Sequence, residues 1–213
     1  MTRSSANIRT QQPVERPAVK GSTTSFDPSN AKCHIFTFKD GLLALFAHDL
    51  KLQATKFQIN ITGCTDGTSL WRKVDAAFDP ASIRTVCAVD DNGKPAGDLS
   101  PNHGKDIEKN IFWNVLRPRK FPTIRFTSKK ITGKPDNFLV HGDLSLCEAT
   151  RAVTIPVKLW KRKYCAEISL DQLDFGITPF CALMGAMKVK PEVTIRVEMN
   201  AGAIGQRKIV SRM

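Results

Sequence analysis

Between Ser100 and Leu159 the apolar spacing changes once, from helical to alternating, and this change constrains the fold more than any other feature of the chain. Ser100-Pro101 suits a helix start, because a serine oxygen caps free backbone N–H groups and proline is tolerated at the first helical position. Ile107, Ile111, Phe112 and Val115 then share one helical face. The pattern ends in Arg117-Pro118-Arg119-Lys120-Phe121-Pro122, whose two prolines cannot continue a helix. A period of two begins at Thr123-Ile124-Arg125-Phe126-Thr127-Ser128. The expectation is a helix near 101–116 that feeds an antiparallel meander.

The strands that follow are nearly apolar on one face. Phe138, Val140, Gly142, Leu144 and Leu146 alternate with polar residues such as His141, Asp143 and Ser145. Cys147-Glu148-Ala149-Thr150 turns the chain, and the phase switches so that Val153, Ile155, Val157 and Leu159 face inward. Pro156 donates no ladder bond, which requires an edge, a bulge or a gap in pairing at that point. Similar alternation recurs at 33–38, 42–52, 57–61, 70–78, 164–170 and 193–199, giving about eight or nine strands. Even spacing of this kind predicts a mainly β fold, an antiparallel barrel of about eight strands closed on itself, with a short helix packed on it. An interior of that size takes packed side chains or one slender ligand. The segment 82–102 carries Asp90-Asp91-Asn92-Gly93 and reads as a surface excursion.

Several motifs in order carry a resemblance. They are Asp106-Ile107, Val115-Leu116, Phe121 to Ser128, Gly142-Asp143-Leu144-Ser145-Leu146 and Thr150-Arg151-Ala152-Val153. Ala47-His48-Asp49-Leu50, Asp174-Phe175-Gly176-Ile177 and Gly185-Ala186-Met187-Lys188-Val189 agree with them, so that the chain resembles the YceI-like family over roughly residues 33–199. The resemblance implies a lipocalin-like barrel whose interior holds a long apolar molecule, a polyisoprenoid or quinone-like lipid, bound for transport or sensing. It implies no catalytic residues and no cofactor.

Length and composition set the remaining bounds. A chain of 213 residues can bury its own core as one domain. Residues 1–30 are polar and read as a disordered tail, 31–200 as the barrel domain, and 201–213 as a basic C-terminal tail. The net charge of +12 lies mostly in the body, and a basic surface of this kind suits transient contact with an anionic membrane. Nucleic acid is disfavoured, because the aromatics fall mostly on inward positions and are not interleaved with the charges. The polar start Met1 to Arg9 lacks the apolar core of a secretory signal. On that basis the protein is expected in the cytoplasm with its six cysteines reduced. Cys-x-x-Cys, His-Glu-x-x-His and Gly-rich phosphate-loop patterns are missing from the sequence, which gives no metal site and no nucleophile.

Alternation also nominates the ligand contacts. Phe46 and His48 lie on the apolar face of 42–52, where an inward histidine either meets a ligand's polar end or is satisfied by backbone or by Asp49. Ala47-His48-Asp49 is no catalytic pair, because adjacent strand residues point to opposite faces. Phe126, Val140, Leu144, Val153, Ile155 and Ile168 follow as wall residues from the strands after the helix. Phe180, Leu183, Met184 and Met187 form an adaptable apolar segment beside Lys188 and Lys190, suited either to a lid or to an ordinary packed loop. A filled barrel whose basic face meets an acidic partner or membrane is the alternative reading. Trp113 lies off the helix stripe and is expected to pack under 82–102 or to mark a contact surface.

Overall fold

Alternation in sequence becomes alternation in burial along β9 (Asn137–Leu146), where Phe138, Val140 and Gly142 are buried and Leu139 is exposed. The computed structural model describes residues 23–41, 49–63, 71–90, 93–182, 184 and 186–203. Before β9 come β1 (Thr23–Phe26), β2 (Ala31–Asp40), β3 (Asp49–Ala54), β4 (Phe57–Thr62), β5 (Lys73–Phe78), β6 (Ile83–Val89), β7 (Pro95–Gly97), α1 (Pro101–Asn110) and β8 (Ile124–Lys134). After it come β10 (Ala149–Trp160), β11 (Lys163–Asp171), β12 (Cys181–Ala182) and β13 (Met187–Asn200). Every pairing between them is antiparallel.

The hydrogen-bonded path runs β1-β4-β5-β8-β9-β10-β11-β13-β2-β3-β6-β7, with β12 attached to β13. The expected closed barrel of about eight strands is therefore corrected to a curled antiparallel sheet of thirteen shorter strands among the described residues. The reason lies in two bends. At Thr55-Lys56 the chain leaves β3, which pairs with β2 and β6, and enters β4, which pairs with β1 and β5. At Pro80–Ser82 a single helical turn, capped by the Asp79 carboxylate on Ala81 N at 2.8 Å, separates β5 from β6. These bends lock together. Thr55 Oγ1 donates to Ser82 O at 2.7 Å and Lys56 N donates to Ser82 Oγ at 3.0 Å, with Ser82 itself buried.

Three further expectations change. Thr23–Phe26 belongs to the sheet and not to a tail, because β1 pairs with β4 and Phe26 is fully buried, and residues 27–30 turn the chain into β2. Residues 1–22 and 204–213 lie outside the described residues. The 82–102 segment is only partly an excursion, since β6 pairs with β3 and buries Cys87, Ala88 and Val89. Trp113 is exposed, with the Arg119 guanidinium 4.5 Å over its ring, and is not buried under the 82–102 segment.

Pro156 sits where the sequence required a gap. It pairs in register with Leu139 of β9, while the ladder to β11 covers only Val157 to Trp160. Val153 and Ile168 pack in the cluster around Leu170, Phe175 and Ile177. Ser100 Oγ accepts from His103 N at 3.3 Å and starts α1 as expected. The helix continues as one wider turn over Ile111–Val115, a form found most often at functional sites.

Candidate functional site

The concave face of the sheet is not filled. Ala54, Ala76 and Ala166 occupy inward positions where larger residues would close the interior, and a cavity of about 250 Å³ remains between the strands. Val140, Leu144 and Leu146 of β9 line it from residue 140 to residue 146, about 20 Å of extended strand. At one end stand Ile111, Val115 and Leu116 of the wide turn, with Ile177. Trp71 and Met199 belong to the other. The Trp71 indole is held edge-on by Phe138 and Tyr164, at centroid distances of 4.7 and 4.9 Å.

Polar side chains in the wall are few. Asp79 and Gln172 already have partners, Ala81 N and Lys190 O; Thr37 and the Trp71 indole complete the set, and Trp71 Nε1 is buried with no hydrogen-bond partner among the described residues. Cys33 also faces the cavity, where burial pushes its thiol up to about 12. A wall of this composition offers mainly dispersion contacts, its one carboxylate, Asp79, being already engaged by Ala81 N, which suits hydrocarbon.

A second recess of about 400 Å³ lies outside, between α1 and the start of β6. Pro80, Ile83, Phe112 and Trp113 supply apolar surface, and Arg84, Lys105, Glu108 and Lys109 supply charge. Ile83 and Ile111 line both spaces, so these two side chains form the partition between them. Thr85 N donates to Glu108 Oε1 at 2.9 Å and Thr85 Oγ1 donates to Gly104 O at 3.3 Å, which ties the helix to β6 beside that partition.

Over this geometry the YceI-like domain model matches residues 24–201, the whole of the curled sheet. The chain belongs to the YceI-like family. The fold agrees with the crystal structure of Burkholderia cenocepacia BcnA at a TM-score of 0.59 and 15% identity, covering 81% of this chain and 97% of that one. Two weaker likenesses are a polyisoprenoid binding domain from Saccharophagus degradans implicated in plant cell wall breakdown and the Campylobacter jejuni YCEI protein. The first has a TM-score of 0.48 and 7% identity, covering 85% of this chain and 99% of that one. The second has a TM-score of 0.46 and 15% identity, covering 72% and 86%. None of the curated proteins matches the sequence.

Within this YceI-like chain the residues nominated from sequence divide into three groups. Phe126, Val140, Leu144, Ile155 and Ile168 stand together in the cavity wall. Val153 is not among the wall residues, and it packs against both apolar clusters of the sheet. Phe46, His48 and Leu183 fall outside the described residues. Asp49 accepts from Lys39 N at 2.7 Å and helps hold β2 to β3, while a pairing with His48 lies outside the described residues. Among the described residues of the 180–187 segment, Phe180, Met184 and Met187 are not in the cavity wall: Phe180 O accepts from Val189 N at 3.0 Å and Met184 is fully exposed.

The basic turn is also largely spent. Arg117 and Lys120 both reach Glu148 Oε1, at 3.2 and 3.3 Å, and the Lys120 hydrogen bond is the main reason that the Glu148 carboxyl sits below its ordinary value. Sequence reasoning missed Ile111 and Leu116 as wall residues, and it missed Ile83 altogether. The available signal for Ile111 was the helix stripe, read as packing on a closed barrel and not as the cover of an open interior; Ile83 starts β6 and had no such signal.

Proposed function

We propose that this YceI-like protein binds a long apolar lipid, polyisoprenoid or quinone-like, in the interior of its curled sheet and carries or senses it without catalysis. The observation that supports this reading best is the cavity itself. Unfilled apolar space of about 250 Å³ forgoes the packing contacts that a close-packed interior supplies. A sheet selected only for stability, or only for display of a basic face, would place larger residues at Ala54, Ala76 and Ala166. Family membership points the same way.

The energetics favour length. Each buried methylene is worth about 0.8 kcal/mol, whereas association costs at least about 4 kcal/mol, so a short chain binds weakly and a long one binds well. A volume just under the usual range of about 300–1,000 Å³ for small-molecule sites suits a slender tail over a broad one. Entry runs between α1 and β6, past Ile83 and Ile111, where the partition is only two side chains thick. The experiment is displacement of an apolar fluorescent dye, N-phenyl-1-naphthylamine, from delipidated protein. A long polyprenol displaces it and a short-chain alcohol does not; dye that never binds, or that both alcohols displace equally, contradicts the reading.

A further inference from the structure

The hairpin between β10 and β11 ends in a turn that the backbone alone would not choose. Trp160 pairs with Lys163, so Lys161 and Arg162 are the two central residues, and both take positive φ, 46° and 63°. A two-residue hairpin loop of that conformation favours Asn-Gly, because most other side chains are strained there. Here the same positions carry two cations. The turn is fixed from both sides: Ala201 N donates to Arg162 O at 2.9 Å, and Leu159 N donates to Asp136 O at 2.8 Å, which sets it beside the connection at 134–137.

Together the two hairpin tips, 134–137 and 158–163, hold five cations, Lys134, Lys158, Lys161, Arg162 and Lys163, against the one carboxylate of Asp136. Lys163 reaches Glu198 at 3.2 Å, and the other four have no ion-pair partner among the described residues. Apolar surface lies among these charges. Pro156, Lys158 and Trp160 alternate onto one face of β10, and Leu139 stands opposite Pro156 on the same face. Trp160 is 63% exposed and Leu139 is exposed as well. Lys161 Nζ lies 4.3 Å over the Trp160 ring.

We infer that these paired tips dock the protein on an anionic bilayer surface, with Trp160 at the level of the head groups and Lys158, Lys161 and Arg162 against lipid phosphates. Charge and chemistry select that occupant. The cations answer the negative potential of acidic lipid, and an indole, apolar in body with one polar N–H, suits the boundary between head groups and hydrocarbon. Nucleic acid would stack bases on the ring, but Lys161 already covers one of its faces. An acidic polypeptide matches the charge and gives Trp160 and Leu139 no apolar layer to enter. The inference stands independently of what fills the cavity.

The test mixes the full chain with vesicles of phosphatidylcholine alone, or of phosphatidylcholine and phosphatidylglycerol in equal parts, and follows sedimentation and tryptophan emission. Wild type binds the anionic vesicles at low salt with a blue shift, loses them as salt is raised, and binds the neutral ones weakly. Lys161→Asn/Arg162→Gly removes two cations and installs the favoured turn, so this variant melts no lower than wild type. Each cation near an anionic surface is worth a factor of about five, so its affinity falls about 25-fold. Trp160→Phe still binds but loses the blue shift. Equal binding to both vesicle types, or a double variant that binds like wild type, overturns the inference. A blue shift that survives in Trp160→Phe places any membrane contact elsewhere and overturns it too. Polyglutamate leaves the emission unchanged; if it produces the same shift and clears the protein from the vesicles, the occupant is an acidic polypeptide and the inference falls.

Discussion

At the scale of single residues, Leu144 separates a hollow interior from a filled one. It lines the cavity from near the C-terminal end of β9, only half-buried, and it pairs in register with Phe126 and Arg151. In Leu144→Trp the added ring occupies space that the lipid tail needs, so the lipid is lost while the melting temperature is kept. A filled core would instead be destabilised by about 1–3 kcal/mol. Loss of stability without any prior lipid binding counts against the account. Thiol chemistry gives an independent check on burial. Cys33, pushed up to about 12 by burial, holds almost no thiolate at pH 8, whereas Cys181 is exposed. Iodoacetamide therefore labels Cys181 in the native protein and reaches Cys33 only after denaturation; equal rates would show that the wall around Cys33 is open. Much of this wall was legible as strict alternation, from Phe126 through Val140 and Leu144 to Ile155 and Ile168. Alternation could not show that Leu159 escapes the interior. It lies at the end of β10 beside the turn at Lys161 and Arg162, where both residues take positive φ, and is partly exposed.

Among the elements, α1 carries the largest functional consequence, because it covers the joint between the cavity and the outer recess. An added Cβ at Gly104 would lie 3.8 Å from Thr85 Cβ, the mean Cβ separation of a disulfide. Thr85→Cys with Gly104→Cys should therefore close a crosslink between α1 and β6 with little strain. Its loop of about twenty residues adds about 3 kcal/mol on the loop-entropy account. Oxidised, this variant melts higher but loads lipid slowly; reduced, it loads at the wild-type rate. Loading at an unchanged rate in the oxidised form would place entry elsewhere. The sequence revealed this helix well, through its serine cap, its proline and its apolar stripe. It concealed β6, because Ile83-Arg84-Thr85-Val86-Cys87-Ala88-Val89 buries three consecutive residues at its end and leaves Val86 exposed, so no period of two was available to read.

For the molecule as a whole, the antiparallel order and the inward faces were legible, but the way the sheet wraps was not. Wrapping depends on the bends at Thr55-Lys56 and Pro80–Ser82, which are held by side chain-to-backbone hydrogen bonds between segments about 25 residues apart. No local pattern encodes such a contact. Hollowness was equally hidden, since an inward alanine reads the same in a packed core as in an open one. The account stands or falls on whether that interior is occupied by lipid. Native mass spectrometry of the purified protein, before and after organic extraction, measures this directly. The account predicts an adduct with the mass of a long isoprenoid-type lipid, removed by extraction and restored by adding a polyprenol or polyprenyl phosphate of similar length. A chain that carries no adduct and takes up neither lipid after extraction would contradict it.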